Sequence, residues 1–274
     1  FSLLAVPFFV LAGNLMNETG ITSRLIKFCN LLTGHMRGGL AQVSVLLSCL
    51  MGGISGSATA DAAMESRILG PDMEKRGYSK GFTAAILAMG GLISSTIPPS
   101  LGLILYGVTG EVSIGRLFLA GMIPGILMTA ALMISVAFIS KKRDYKPEHE
   151  SFPSIGEVLK GLVENIWALL FPVILIVGIR FGIFTPSEAG AFAVVYALVV
   201  GLFIYRELTI SKLMECLSTT AVDLAVIMFI IICSNAFGYA IVTGQLPQTL
   251  ARMITAVSDN KYVILLIVML FVFF

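Results

Sequence analysis

The sequence predicts an all-α, polytopic membrane protein with inverted-repeat topology, a re-entrant helical hairpin and a broken helix. Three observations carry that expectation. Apolar residues make up 57% of the 274-residue chain and charged residues only 12%, against roughly 25% charged in soluble domains. Mean hydropathy is +0.95. The apolar residues come in runs that suit a hydrocarbon core of about 30 Å, which takes roughly 20 helical residues, and they are too long and uniform for barrel strands. Two of these runs are interrupted at mid-length by Gly, Ser, Thr and Pro.

The elements follow in order from the apolar runs and their polar punctuation. A first run covers 1–16. Residues 20–33 then set Ile21, Leu25, Phe28 and Leu32 on one side and Arg24 and Lys27 on another, which suits a helix lying in the interface. Residues 38–51 are apolar but too short to cross, and they lead into the tip GGISGSATAD at 52–61, with a second half-length helix over 62–69. The run 82–108 is broken by Pro98-Pro99. Further spans are expected over 117–140, 163–181, 187–205 and 219–242, and a last apolar run begins near 262.

The 18 Lys and Arg test this layout, because cytoplasmic loops are enriched in them. Fourteen fall on one side: Arg24, Lys27, Arg37, Arg67, Lys75, Arg76, Lys80, Lys141, Lys142, Arg143, Lys146, Lys160, Arg206 and Lys212. Only Arg116, Arg180, Arg252 and Lys261 fall on the other. The first side is therefore read as cytoplasmic. Arg37 and Lys75 share it only if residues 38–70 enter and leave by the same face. That is a re-entrant hairpin, whose tip must face protein or a water-filled cavity.

A weak repeat divides the chain. Span end, Thr-Gly, amphipathic helix and polar turn recur from Asn14 and again from Asn235, on opposite sides of the membrane. The expected parts are a first span with interfacial helix (1–37), a hairpin with broken helix (38–112), connecting spans (113–211) and the start of a second repeat (212–274). The chain begins and stops inside apolar runs, so it reads as an internal segment of a longer protein with a second hairpin beyond residue 274.

The tip carries the chemistry. Gly52, Gly53 and Gly56 allow a sharp turn and close approach. Ser55, Ser57 and Thr59 supply hydroxyl oxygens, and a helix starting near Ala60 points its positive end at the same place. Carbonyls and hydroxyls suit a weakly held monovalent cation such as Na⁺, and a helix N-terminus suits a carboxylate. A small-residue packing turn is the competing reading. In GGLISSTIPPSLG, Pro98 and Pro99 deprive the carbonyls one turn earlier of donors, and Ser94, Ser95, Thr96 and Ser100 add hydroxyls; a simple kink is the alternative. Two breaks in neighbouring elements point to a substrate and ion site.

Asp61 is read either as a ligand group or as a cap of the returning helix. Asp223 pairs within the membrane or sits in a hydrated crevice, and Glu188 stabilises a helix start after Pro186. Asn14 and Asn235 are expected to cap or bond between helices, and Trp167 to anchor at the interface. The cysteines Cys29, Cys49, Cys216 and Cys233 form no CxxC pair and read as small buried hydrophobes. No phosphate loop, catalytic triad or metal spacing appears, and the basic loops lack interleaved aromatics, so ATP hydrolysis, enzyme catalysis and nucleic-acid binding are unsupported. No coupling loop for an ATPase is visible, and no cofactor is called for beyond a coupling ion.

At these motifs the sequence resembles the large membrane subunit of tripartite ATP-independent periplasmic (TRAP) transporters. The matching stretches are PFFVLAGNLMNETG (7–20), GGISGSATADAAM (52–64), PDMEKRGYSKGF (71–82), STIPPSLGLILYG (95–107), GIFTPSEAGAFAVVYALVVGLFIYREL (182–208) and SDNKYVILLIVML (258–270). The resemblance implies Na⁺-coupled uptake of an organic acid, a C4-dicarboxylate or a sialic-acid-like carboxylate, across the bacterial inner membrane by an elevator-like movement. It also implies a periplasmic binding protein and a small membrane subunit as partners. Carried over by position, Ser55, Gly56, Ser57, Ala58, Thr96, Ile97 and Pro98 would hold Na⁺. Ser55, Ser57, Thr59, Asp61, Ser95 and Pro99 would face the substrate. Glu65 and Ser66 depart from the small residues of the family pattern. The alternatives are a stand-alone carboxylate symporter and a non-transporting assembly or channel subunit.

Overall fold

The computed structural model describes residues 4–53, 56–149, 151–257 and 260–273, all helix, turn or loop and without a strand among them. It divides into two compact units, 1–221 and 222–274.

In the first unit, α1 (Ala5–Glu18) and the amphipathic α2 (Ile21–Thr33) are separated by a turn at Gly20, whose φ of +74° a side chain would resist. Ile21, Leu25 and Phe28 of α2 are buried while Ser23 and Lys27 are exposed, as the 3.6-residue period requires. Next come α3 (Gly39–Gly52) and α4 (Ala58–Ile68), the short α5 (Gly70–Lys75), α6 (Lys80–Thr96) and α7 (Leu101–Thr109). Helix α4 begins a turn earlier than expected. The left-handed Gly56, at φ +60°, completes the reversal in time for helix to start at Ala58.

Ser44 and Ser48 of α3 meet the Glu65 carboxyl of α4 at 2.6 and 2.7 Å. Positions equally far from the tip thus lie side by side, and both helices pack on α6. Helices α3 and α4 form the two arms of a hairpin. Gly90 and Gly91 of α6 admit its arms: a Cβ on Gly90 would lie 2.3 Å from Ser48 Oγ, and one on Gly91 2.6 Å from the Ala58 carbonyl oxygen.

The 30-residue α8 (Ile114–Arg143) ends with Lys141, Lys142 and Arg143 in its last turn, where cations complement the helix dipole. The expected span over 163–181 is α10 (Ile166–Arg180), and a helix not expected from the sequence, α9 (Ile155–Glu164), precedes it at a 70° bend. A capping box of Ser154 and Glu157 starts α9, which packs on α2, and the Asn165 side chain donates to the Gly161 carbonyl at 2.7 Å at the bend. Helix α11 (Pro186–Val199) runs into a π-helical turn, Val200–Ile204. It packs on α1 through small residues: Ala189, Ala193 and Ala197 are buried, and a Cβ on Gly190 would lie 2.8 Å from Phe8 Cβ.

Helix α12 (Ile210–Thr243) carries the chain from the first unit into the second, which continues with α13 (Leu246–Val257) and α14 (Lys261–Phe273). The link before α13 repeats that before α2 in form, with Gln245 at φ +54° in the place of Gly20. Three stretches are long and apolar enough to span by themselves, 114–143, 186–204 and 210–243; the bent pairs α6–α7 and α9–α10 bring the number to five among the described residues.

The basic loops of the first unit are tied together. Arg24 pairs with Glu207 at 2.7 Å and covers the Tyr205 ring, and Lys212 reaches Glu18 at 3.8 Å. Arg76 pairs with Glu148 at 2.6 Å, and the Ser79 amide donates to the Tyr145 hydroxyl. Cys29 and Cys216 are buried and Cys49 half-buried, but Cys233 is exposed, against expectation. A thiol on an apolar helix face behaves as a small hydrophobe whether it meets protein or lipid.

Candidate functional site

The hairpin tip is shaped by close approach. A Cβ on Gly52 would lie 2.9 Å from both Ile97 Cβ and Ser94 Cα, one on Gly53 2.6 Å from Pro172 Cβ of α10, and one on Gly56 2.4 Å from the Pro99 carbonyl oxygen. No side chain fits at these three positions. The tip is therefore held between the α6–α7 break and α10. One backbone hydrogen bond joins it to the break: the Leu101 amide donates to the Gly56 carbonyl at 3.2 Å.

The break itself follows from proline chemistry. Pro98 and Pro99 have no N–H, so the carbonyls of Ser94 and Ser95 lose the donors that a continuous helix would supply. Ile97 and Ser100 take extended conformations, and the helix axis bends by 47°. Ser100 Oγ donates to the Ser95 carbonyl and, as N-cap of α7, accepts from the Leu103 amide at 3.4 Å. Ser94 Oγ reaches across to the Ser48 carbonyl of α3 at 2.9 Å.

Hairpin and break together bring four helix ends to one junction. The C-terminal ends of α3 and α6 touch at Gly52 and Ser94, while the N-terminal ends of α4 and α7 are linked through Gly56 and Leu101. Paired C-terminal ends favour a cation and paired N-terminal ends an anion. Among the described residues no three of His, Cys, Asp and Glu gather as a metal site.

The residues singled out from the sequence divide accordingly. Gly56, Ala58, Ile97 and Pro99 meet at the junction, Ala58 through its carbonyl against Gly91. Ser95 and Thr96 both donate to the Leu92 carbonyl, at 3.0 and 2.8 Å, which leaves their oxygen lone pairs as acceptors. The Thr96 carbonyl faces Gly121 of α8, and Pro98 lines a small apolar cavity with Phe118, Met122 and Ile176. Both thus turn towards α8. Ser57 is half-buried, Thr59 exposed and Asp61 fully buried in the first turn of α4. Ser55 lies outside the described residues.

Sequence reasoning missed the polar link behind the tip, Ser44 and Ser48 with Glu65. Its only local signal was a pair of serines four apart on an apolar helix. Elsewhere Glu188 forms a capping box with Thr185, Asn14 Nδ2 donates to Thr220 Oγ1 at 3.0 Å, and the Trp167 carbonyl accepts from the Tyr196 hydroxyl at 2.6 Å.

Residues 1–274 match the family model for the DctM component of tripartite ATP-independent periplasmic transporters. The chain is 42% identical to the sialic acid TRAP transporter large permease protein SiaM of Vibrio cholerae, covering 100% of this chain and 64% of that protein. It is 38% identical to the 2,3-diketo-L-gulonate TRAP transporter large permease protein YiaN of Escherichia coli, covering 98% and 63%. It is 37% identical to the C4-dicarboxylate TRAP transporter large permease protein DctM of Pseudomonas aeruginosa, covering 98% and 62%. The chain thus spans a little under two thirds of the length of these relatives, which are permeases and not enzymes. With a match along its whole length, the chain belongs to the DctM family, the large membrane component of tripartite ATP-independent periplasmic transporters.

Proposed function

We propose that the chain serves Na⁺-coupled secondary uptake of an organic acid across a bacterial inner membrane, with the junction of hairpin and broken helix as one half of the site. The observation that carries this reading is the contact of the Gly56 turn with Pro99 and Leu101, which sets four helix ends around one point. Na⁺ would be held by oxygens of Ser55, Gly56, Ser57, Ala58, Thr96, Ile97 and Pro98. A carboxylate beside it would face the α4 and α7 N-termini, near Ser55, Ser57, Thr59, Asp61, Ser95 and Pro99.

Coupling then requires each ligand to raise the affinity for the other. The membrane potential adds about 2.3 kcal/mol per net positive charge moved inward across 100 mV. Relatives named for sialic acid and C4-dicarboxylates make those two acid classes the first to test. A periplasmic binding protein delivers the substrate, a small membrane subunit completes the complex, and the hairpin and broken helix move as an elevator in alternating access.

The test is uptake of labelled sialic acid and of a C4-dicarboxylate by the intact transporter in vesicles, with Na⁺ varied. Ser57→Ala with Thr96→Ala is expected to raise the Na⁺ concentration for half-maximal uptake about tenfold, on the order of 1.4 kcal/mol. An unchanged Na⁺ dependence removes these residues from the site. Uptake without any binding protein would favour a stand-alone symporter, and the absence of saturable flux would favour an assembly or channel subunit.

A further inference from the structure

We propose that Glu65 carries a proton in the folded hairpin and, through Ser44 and Ser48, clasps its two arms together behind the tip. Three oxygen pairs lie within hydrogen-bond distance: Ser44 Oγ to Glu65 Oε2 at 2.6 Å, Ser48 Oγ to Glu65 Oε1 at 2.7 Å, and Ser48 Oγ to the Ser44 carbonyl at 3.0 Å. Each serine hydroxyl has one hydrogen, so the serines supply two. An ionised Glu65 leaves one pair as two facing lone pairs. A protonated Glu65 satisfies all three: Ser44 donates to Oε2, Ser48 donates to the Ser44 carbonyl, and the carboxyl donates from Oε1 to Ser48 Oγ.

The surroundings agree. Ser44, Ser48, Glu65 and Ser94 are all fully buried. Among the described residues no Lys, Arg or His forms an ion pair with Glu65. A buried carboxylate without a counter-charge is costly. Among the described residues, the titratable groups acting on it are Asp61 on the same helix, Cys29 on α2 and, beside Cys29, Cys49 on α3. None of these is a cation. On α6 the neighbour is Gly90, where a Cβ would come 3.8 Å from Glu65 Oε2.

The clasp also reaches the junction. The Ser48 carbonyl accepts from Ser94, which directly precedes Ser95 and Thr96 at the break. Glu65 is thus a positioning residue: it fixes α4 to α3, and α3 is in turn bonded to the last turn of α6. This reading stands apart from sodium coupling, because its readouts are spectroscopic and thermal.

The experiment uses the intact transporter with Glu65→Gln and Glu65→Ala. Glutamine reproduces the protonated carboxyl, with its amide donating to Ser48 and its carbonyl accepting from Ser44. Infrared difference spectra at neutral pH should show a protonated-carboxyl stretch in the parent protein that Glu65→Gln removes. The thermal midpoint should stay within about 2 °C of the parent for glutamine and fall by more than about 5 °C for alanine. If Glu65→Ala does not fold, the parent and glutamine spectra decide alone. Absence of the band, or a glutamine variant as unstable as alanine, overturns the proposal in favour of an ionised carboxylate.

Discussion

The Leu101 amide donates to the Gly56 carbonyl at 3.2 Å, so the first turn of α7 and the turn of the hairpin share a backbone bond. Neither residue brings a side chain to this contact. It exists because Gly56 is left-handed and lacks a Cβ, and because the prolines at 98 and 99 end one helix and let another begin. The junction is therefore sensitive to small additions of volume rather than to loss of charge.

Gly56→Ala places a methyl 2.4 Å from the Pro99 oxygen at φ +60°. Left-handed strain alone costs roughly 1–2 kcal/mol, and the clash must in addition push tip and break apart. Uptake by the intact transporter should fall at least tenfold. Gly77→Ala is the control: its φ is +84° but nothing lies within 4 Å, so only the left-handed strain of roughly 1–2 kcal/mol is expected and uptake is retained. Equal losses in uptake would mean that contact with the break is irrelevant.

Helix α8 offers a second test. A Cβ on Gly121 would lie 2.6 Å from the Thr96 oxygen and one on Gly125 2.4 Å from Ile97 Cγ1, whereas one on Gly115 meets Ile179 at an ordinary 3.4 Å. Alanine at 121 or 125 should lower the thermal midpoint, with overpacking costing about 1–3 kcal/mol, and alanine at 115 should not.

Arg76 and Glu148 predict a pH dependence. Burial pushes the Glu148 carboxyl above the usual carboxylate range, while Arg76 at 2.6 Å pulls it back down. A carboxyl raised on folding favours the folded state below the ordinary carboxylate range, and this contribution is lost as pH rises through the raised value. Arg76→Ala removes the opposing pull, so the loss deepens. Melting at pH 5 and pH 8 should show Arg76→Ala destabilised by roughly 1–2 kcal/mol mainly at the higher pH, with Glu148→Gln added to it restoring part of the stability. A pH-independent effect would show that Arg76 acts by packing.

The bond from Asn14 to Thr220 at 3.0 Å joins α1 to α12 within the first unit. Interhelical side-chain bonds of this kind average about 0.6 kcal/mol and reach about 1.7 kcal/mol, so Thr220→Val should cost an amount in that range in a reversible unfolding assay. A neutral result would mean that Asn14 is satisfied without Thr220.

Local order was legible in the residues because it depends on neighbours along the chain. The period of 20–33, the prolines at 98 and 99, the proline-led start of α11 and the half-length run before Gly52 each act within a turn or two, and basic residues on both flanks of 38–70 pointed to re-entry. Helix α9 was missed although Ser154 and Glu157 have capping-box spacing, because its short amphipathic run merges into the longer apolar run from 163. What folding adds is the meeting of distant parts. Glu65 finds Ser48 across 17 residues and Ser94 finds the Ser48 carbonyl across 46, separations that no helical period encodes. Which oxygens face the junction, and which turn to α8, follows from glycine-sized gaps between packed helices. Those gaps exist only once the helices are side by side, since van der Waals exclusion acts between surfaces and leaves no periodic trace in a single strand of residues.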